Sequence, residues 1–150
     1  MTHGLDTSFL VAAEVLGHAD HVTARTLAVS LRTSGDRFAL APQVLAEFVH
    51  LVTDAKRFPA PLSLLQALER AQVWWDASDV DRVWPDDSAV SWFFAAMTKH
   101  RLGRKRVLDT LLAGTFRSAG LTSLLTLNAA DFAAFGEFTC VPLAAPPARP

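Results

Sequence analysis

The chain has 150 residues, the size of one domain rather than two, and at 51% hydrophobic and 19% charged it is too apolar to remain disordered. Its formal net charge of -1 excludes an argument for nucleic-acid binding from overall charge, so any such contact must come from a local patch. A single cysteine, Cys140, excludes an internal disulfide and a cysteine metal cluster and fits a reducing compartment.

Gly4 to Ser8 reads as a short strand ending in polar residues, and Phe9-Leu10-Val11-Ala12-Ala13 begins a helix that Thr7 or Ser8 can cap. A second helix is expected over residues 19–33, with Val22, Leu27 and Leu31 as its apolar positions and Ser34-Gly35-Asp36 as its stop. Phe38 to Ala41 has the pattern of a buried strand. Pro42 then suits the first turn of a helix with Val44, Phe48, Leu51 and Val52 facing the core and Glu47 on the margin.

Residues 54–61 form a break, with Lys56, Arg57, Phe58 and two prolines, and residues 62–75 are helical again. A turn at 76–79 precedes a third strand over 80–84. Asp86 or Asp87 caps the next helix, whose apolar face is read as Val90, Phe93, Phe94 and Met97.

The run Lys99 to Arg106 leads into a helix headed by Val107-Leu108-Asp109, with Leu108, Leu112 and Phe116 as its core stripe. Residues 124–127 give another buried strand, residues 128–132 a turn or short helix, and residues 138–142 the last strand. Strands separated by helices, with little polar alternation inside the strands, predict an α/β fold with a mostly parallel sheet covered on both faces. No repeat or compositional break separates a second domain. The expected division is one domain over 1–143 and a proline-rich tail over 144–150. No basic-then-apolar leader opens the sequence and no apolar run reaches bilayer length, so a soluble, cytoplasmic protein without a membrane partner is expected.

Asp6 falls at the carboxyl end of the first strand, while Asn128 and Asp131 follow the strand over 124–127. Crevices form at that end of open α/β sheets, so these groups can converge there, and Glu47 and Asp109 on flanking helices can point into the same crevice. Carboxylates held together repel unless protonated or joined by cations. Hard Mg²⁺, or Mn²⁺ in its place, matches such oxygen ligands, and the five histidines lack zinc-site spacing. Such an ion would allow hydrolysis of a phosphodiester.

These pieces, in this order, resemble a PIN-domain ribonuclease of the VapC type, the toxin of bacterial type II toxin-antitoxin systems. The resemblance rests on Gly4-Leu5-Asp6-Thr7-Ser8, Leu45-Ala46-Glu47-Phe48, Val107-Leu108-Asp109-Thr110-Leu111-Leu112-Ala113 and Leu125-Thr126-Leu127-Asn128-Ala129-Ala130-Asp131-Phe132, and covers almost the whole chain. It implies a three-layer α/β/α PIN-like domain and a Mg²⁺-dependent endoribonuclease that leaves a 5′-phosphate and a 3′-hydroxyl. Asp6, Glu47 and Asp109 match the family's acidic metal-site positions.

Asn128 departs from the family's more acidic pattern at the first position of its last motif, leaving Asp131 as the carboxylate to complete the metal-binding and catalytic set. In the implied roles Asp6 and Asp109 contact the principal ion, Glu47 tunes the site, and Thr7, Ser8 and Asn128 hold waters or a phosphate oxygen. The resemblance also implies a homodimer, a VapB-like antitoxin that restrains the activity, and a structured RNA substrate such as tRNA or rRNA.

Lys99, Arg101, Arg104, Lys105 and Arg106 form the expected RNA-phosphate patch, with Lys56 and Arg57 as a smaller one. The chief alternative is a catalytically weak PIN-like module that binds RNA or a protein partner, suggested by Asn128 and the near-zero net charge. A nucleotide-binding switch is disfavoured because no glycine-rich phosphate loop is present.

Overall fold

The computed structural model describes residues 1–143; the expected tail over 144–150 lies outside the described residues. Five strands, β1 (Thr2–Leu5), β2 (Arg37–Leu40), β3 (Val80–Arg82), β4 (Ser123–Leu125) and β5 (Thr139–Cys140), form one sheet in the order β3-β2-β1-β4-β5. All four pairings are parallel, so the sheet is wholly parallel. Leu5, Phe38, Ala39, Leu40, Leu124 and Leu125 are buried, as expected of strands covered on both faces.

Among the described residues seven α-helices connect the strands: α1 (Thr7–Glu14), α2 (His21–Thr33), α3 (Pro42–Val52), α4 (Leu64–Trp75), α5 (Asp87–Lys99), α6 (Val107–Ser118) and α7 (Ala129–Ala133). Helix α1 touches α2 and α3, and α3 touches α4, whereas α6 packs on α5 and α7. The chain moves from β1 outward through β2 to β3, then returns to β4 on the other side of β1. Right-handed crossovers therefore put the two helical groups on opposite faces of the sheet. Among the described residues no helix is long and apolar enough to cross a membrane.

Local chemistry sets the boundaries. Pro42 occupies the first turn of α3, where its missing N–H costs nothing. Ser63 and Gln66 form a reciprocal capping box on α4, and Asp86 caps α5 by accepting from the Ala89 N–H. The cap of α1 is Asp6, whose side chain accepts from the Thr7 N–H, rather than Thr7 or Ser8.

Three helices follow the predicted apolar pattern only in part. In α2 Ala24 and Ala28 are buried and the expected Leu27 and Leu31 pack on the core beside them, while Val22 is exposed; in α5 Ala89 and Ala96 are buried and the expected Phe93 and Met97 half-buried, while Val90 and Phe94 are exposed. In α6 Leu112 and Phe116 are buried as expected, but Leu108 is exposed. Small residues let neighbouring helices approach closely, and such a contact outweighs larger side chains one or two positions away.

Glu14, buried at the end of α1, ties three elements together. Its carboxylate accepts from Trp74 Nε1 at 2.8 Å and from Arg25 and Arg70 at 3.2 Å each. This compensated burial locks α1 against α2 and α4.

Candidate functional site

The chain reverses its direction of travel across the sheet at β1 and β4, the topological switch point where α/β sheets form ligand crevices at the carboxyl ends of their strands. Asp6 follows β1 directly, and its N–H bonds the Leu125 carbonyl at 3.0 Å, which carries the β1–β4 pairing one step beyond the strands. The cavity there has a volume of about 490 Å³, and its lining includes Asp6, Thr7, Ser8, Glu47, Asp109 and Asn128. Three of the four expected acidic residues thus share one cavity with all three expected supporting residues.

The Asp6 carboxylate is only 3% exposed and is oriented by three donors. Oδ1 accepts from the Thr7 N–H at 2.8 Å, while Oδ2 accepts from Ser8 Oγ at 2.6 Å and Thr126 Oγ1 at 2.7 Å. The hydroxyls are positioned in turn: Leu127 N–H donates to Ser8 Oγ at 3.0 Å and Asn128 N–H to Thr126 Oγ1 at 2.9 Å. The loop after β4 therefore holds the acid after β1. A carboxylate has about four lone-pair sites, so these bonds leave one available to an outside partner.

Thr126, which is not among the individually expected site residues, is the side chain that ties Asp6 to this loop. Its signal was present, because it opens the last motif of the resemblance. Thr126→Val keeps the side-chain shape but removes the hydroxyl that joins Asp6 to the β4–α7 loop. The expected cost is about 1–2 kcal/mol, read as a lower urea midpoint. Unchanged stability would mean that this hydroxyl does not hold Asp6.

Glu47 reaches the cavity from α3 and accepts from Thr7 Oγ1 through Oε2 at 2.8 Å. Asp109 comes from the opposite helical group, in the first turn of α6. Burial and the neighbouring negative charges of Asp6, Glu47 and Asp131 push its pKa up to about 6, against a smaller opposing effect of Arg106. Two helices from opposite faces of the sheet thus bring their carboxylates to the acid at the strand end.

Asp131 is near enough for its charge to affect Asp109, but it does not line the cavity. Its carboxylate pairs with Arg106 at 3.1 Å, and the same guanidinium donates to the Asp131 carbonyl. Of the basic run, Arg106 is therefore engaged in joining the turn before α6 to α7. Lys99, Arg101, Arg104 and Lys105 are exposed outside the cavity lining. Arg57 and His18 do line it; Arg57 belongs to the smaller expected patch, while His18 is not among the expected site residues.

The donors suit a hard cation because they are oxygens, and Asp109 is a carboxylate that a positive charge would relieve. Among the described residues no three His, Cys, Asp or Glu side chains form a ready metal cluster. Mg²⁺ retains several waters and takes only one or two carboxylates directly, so the residues fit an ion held partly through water.

The PIN domain family model matches residues 5–137, a span containing every acidic residue of the site. Among solved structures, the chain is similar to Mycobacterium tuberculosis VapC20, described as a toxin cleaving the sarcin-ricin loop. That match has a TM-score of 0.71 and 20% identity, covering 91% of this chain and 96% of the other. VapBC2 from Rickettsia felis, bound to a DNA fragment from its promoter, matches with a TM-score of 0.66 and 18% identity, over 94% of this chain and 98% of the other. VapBC-1 from nontypeable Haemophilus influenzae matches with a TM-score of 0.63 and 16% identity, over 95% of this chain and 98% of the other. No curated protein matches the sequence. At these identities the structures establish a common fold, and the family match over most of the sequence settles its membership: the chain belongs to the PIN domain family.

Proposed function

We propose that this protein is a Mg²⁺-dependent endoribonuclease toxin of the VapC kind, with Mn²⁺ able to replace Mg²⁺. The observation that carries the reading is the meeting of Asp6, Glu47 and Asp109 at one cavity, with the Asp109 pKa pushed up to about 6. Like charges gathered at a strand-end crevice oppose folding unless they serve a bound cation or a proton-transfer step.

Asp6 and Asp109 would hold the ion, directly or through water, and Glu47 would complete its surroundings. When bound, Mg²⁺ supplies Lewis acidity that activates water and offsets negative charge on the phosphodiester. Thr7 fixes Glu47 through its hydroxyl, while Ser8 and Thr126 hold the Asp6 carboxylate at one angle. Asn128 presents an amide at the cavity wall where the family pattern favours an acid. In this reading Asp131 contributes negative charge from outside the cavity lining rather than a direct ligand.

The same reading includes cleavage of structured RNA, for which tRNA and rRNA are the candidate classes, and a homodimer restrained by a VapB-like antitoxin. The complexes with similar folds support the partner class. The protein is read as soluble and cytoplasmic, and its exposed basic run supports contacts with RNA phosphates.

The second reading, a PIN-like module that binds RNA or protein but cleaves weakly, is favoured by the Arg106–Asp131 pair and by the missing ready-made ligand cluster among the described residues. Incubating purified, partner-free protein with total cellular RNA in Mg²⁺ or EDTA, then mapping new 5′ ends, separates the two. Discrete cuts in Mg²⁺ that vanish in EDTA are expected. RNA binding without cuts would establish the weaker module.

A further inference from the structure

The cavity lined by Asp6, Glu47 and Asp109 repels a polyanion, and the exposed members of the basic run do not line it. Arg57 does. It lies between α3 and α4, where its N–H and that of Phe58 bond the Asp54 carbonyl at 3.0 and 3.1 Å. Phe58 packs on the hydrophobic core, and Leu62 N–H closes the loop onto the Val52 carbonyl at 2.9 Å. The backbone is therefore fixed while the arginine side chain remains 61% exposed.

The nearest acidic partner of the guanidinium is Asp54, at 3.7 Å, which is beyond hydrogen-bond range. Asp54 Oδ1 already accepts from the Lys56 N–H at 2.8 Å. The planar donors of Arg57 are thus available to a phosphate, whose oxygens they can bind as a fork.

His18 lines the same cavity and adds a ring N–H donor. Asp20 N–H donates to His18 Nδ1 at 3.1 Å. With Nδ1 accepting that bond, the ring N–H lies at Nε2.

We infer that Arg57, assisted by His18, binds an RNA phosphate adjacent to the one cleaved and so positions the strand over the carboxylates. This rests on the nuclease reading of the cavity. In it, Arg57 offsets local repulsion at the entrance and supplies orientation that the diffuse basic run does not.

The test measures binding of a short labelled single-stranded RNA of mixed sequence, by anisotropy over a salt series. It uses Asp109→Asn protein so that cleavage does not interfere. Adding Arg57→Ala is expected to weaken binding about tenfold and to reduce the magnitude of the log–log salt slope by about 0.7. Arg57→Lys should recover part of the affinity, His18→Ala should lose less than Arg57→Ala, and Lys56→Ala on the same loop should also lose less.

In otherwise wild-type protein, Arg57→Ala should raise KM by a larger factor than it lowers kcat. Unchanged affinity and salt slope, an equal loss in Lys56→Ala, or no RNA binding by the Asp109→Asn parent would overturn the inference. Absence of Mg²⁺-dependent cleavage by the wild type, with the Arg57 effect on binding retained, would instead count against the nuclease reading alone.

Discussion

Replacing Asp109 by Asn is expected to lower RNA cleavage by about a hundredfold or more while making the metal-free protein more stable. The gain follows from the carboxyl pKa, which burial and its acidic neighbours raise from 3.8 to about 6 in the fold. Between those values the folded protein binds more protons than the unfolded chain, so the stability of the wild type falls as pH rises through the window. About one pH unit above 6 the penalty of the ionised group is complete, and Asn does not bear it.

The full shift would correspond to about 3 kcal/mol. Because Asp109 is partly exposed, screening reduces the expected gain to about 1–2 kcal/mol, or roughly 2–8 °C in melting temperature for a domain of this size. Thermal melts in EDTA should show little difference near pH 4, a difference that grows through pH 6, and a plateau from about one pH unit above it. A less stable Asn variant above pH 6 would mean that the ionised carboxylate is already stabilised by the protein itself.

Gly114→Val is expected to destabilise the protein by about 3 kcal/mol or more, with a fall of roughly 6–12 °C in melting temperature. A Cβ at Gly114 would meet the Ala89 carbonyl oxygen at 2.7 Å and Trp92 Cε3 at 3.2 Å. The first obstacle is backbone, so relief requires α5 and α6 to move apart. Helix propensity alone predicts a gain of a few tenths of a kcal/mol or more on replacing Gly, so the two effects have opposite signs and close packing is the larger.

Because α6 also carries Asp109, cleavage should fall in the Val variant even below its melting temperature. Gly114→Ala should show the same trend, partly offset by its better helix propensity. A rise in stability for Val would overturn this account of the α5–α6 contact.

The same contact shows what the amino-acid sequence could reveal. Strand positions were legible because short buried runs such as Phe38-Ala39-Leu40 stand between polar turns, and the alternation of strands with helices implied parallel pairing. The buried faces of α2 and α5 were less legible. Counting large apolar residues correctly selected Leu27 and Leu31, which pack on the core, but also Val22, Val90 and Phe94, which are exposed, and it passed over the fully buried Ala24, Ala28, Ala89 and Ala96. Periodicity identifies an apolar stripe, but the size match between neighbouring helices decides which stripe becomes the contact.

At the site, Asp6, Glu47 and Asp109 could be selected because the ends of parallel strands gather groups distant in sequence. The direction of Asp131 could not be inferred, since its partner Arg106 comes from a separate turn and belonged to the expected RNA patch. Nor could spacing show that Thr126 holds Asp6, a bond spanning 120 positions. Sequence separation also hid the exclusion of the basic run from the cavity and the presence of Arg57 and His18 in its wall.

Isothermal titration of Mg²⁺ into the wild-type, Asp6→Asn and Asp109→Asn proteins, at pH 6 and pH 8 in buffers of different ionisation enthalpy, tests the metal centre most directly. The predicted result is saturable binding by the wild type, weakened in both variants, with more protons released at pH 6 than at pH 8 because Asp109 is partly protonated at the lower pH. Equal binding in all three proteins, or no saturable binding by a folded wild type at either pH, would contradict a cation held by these carboxylates.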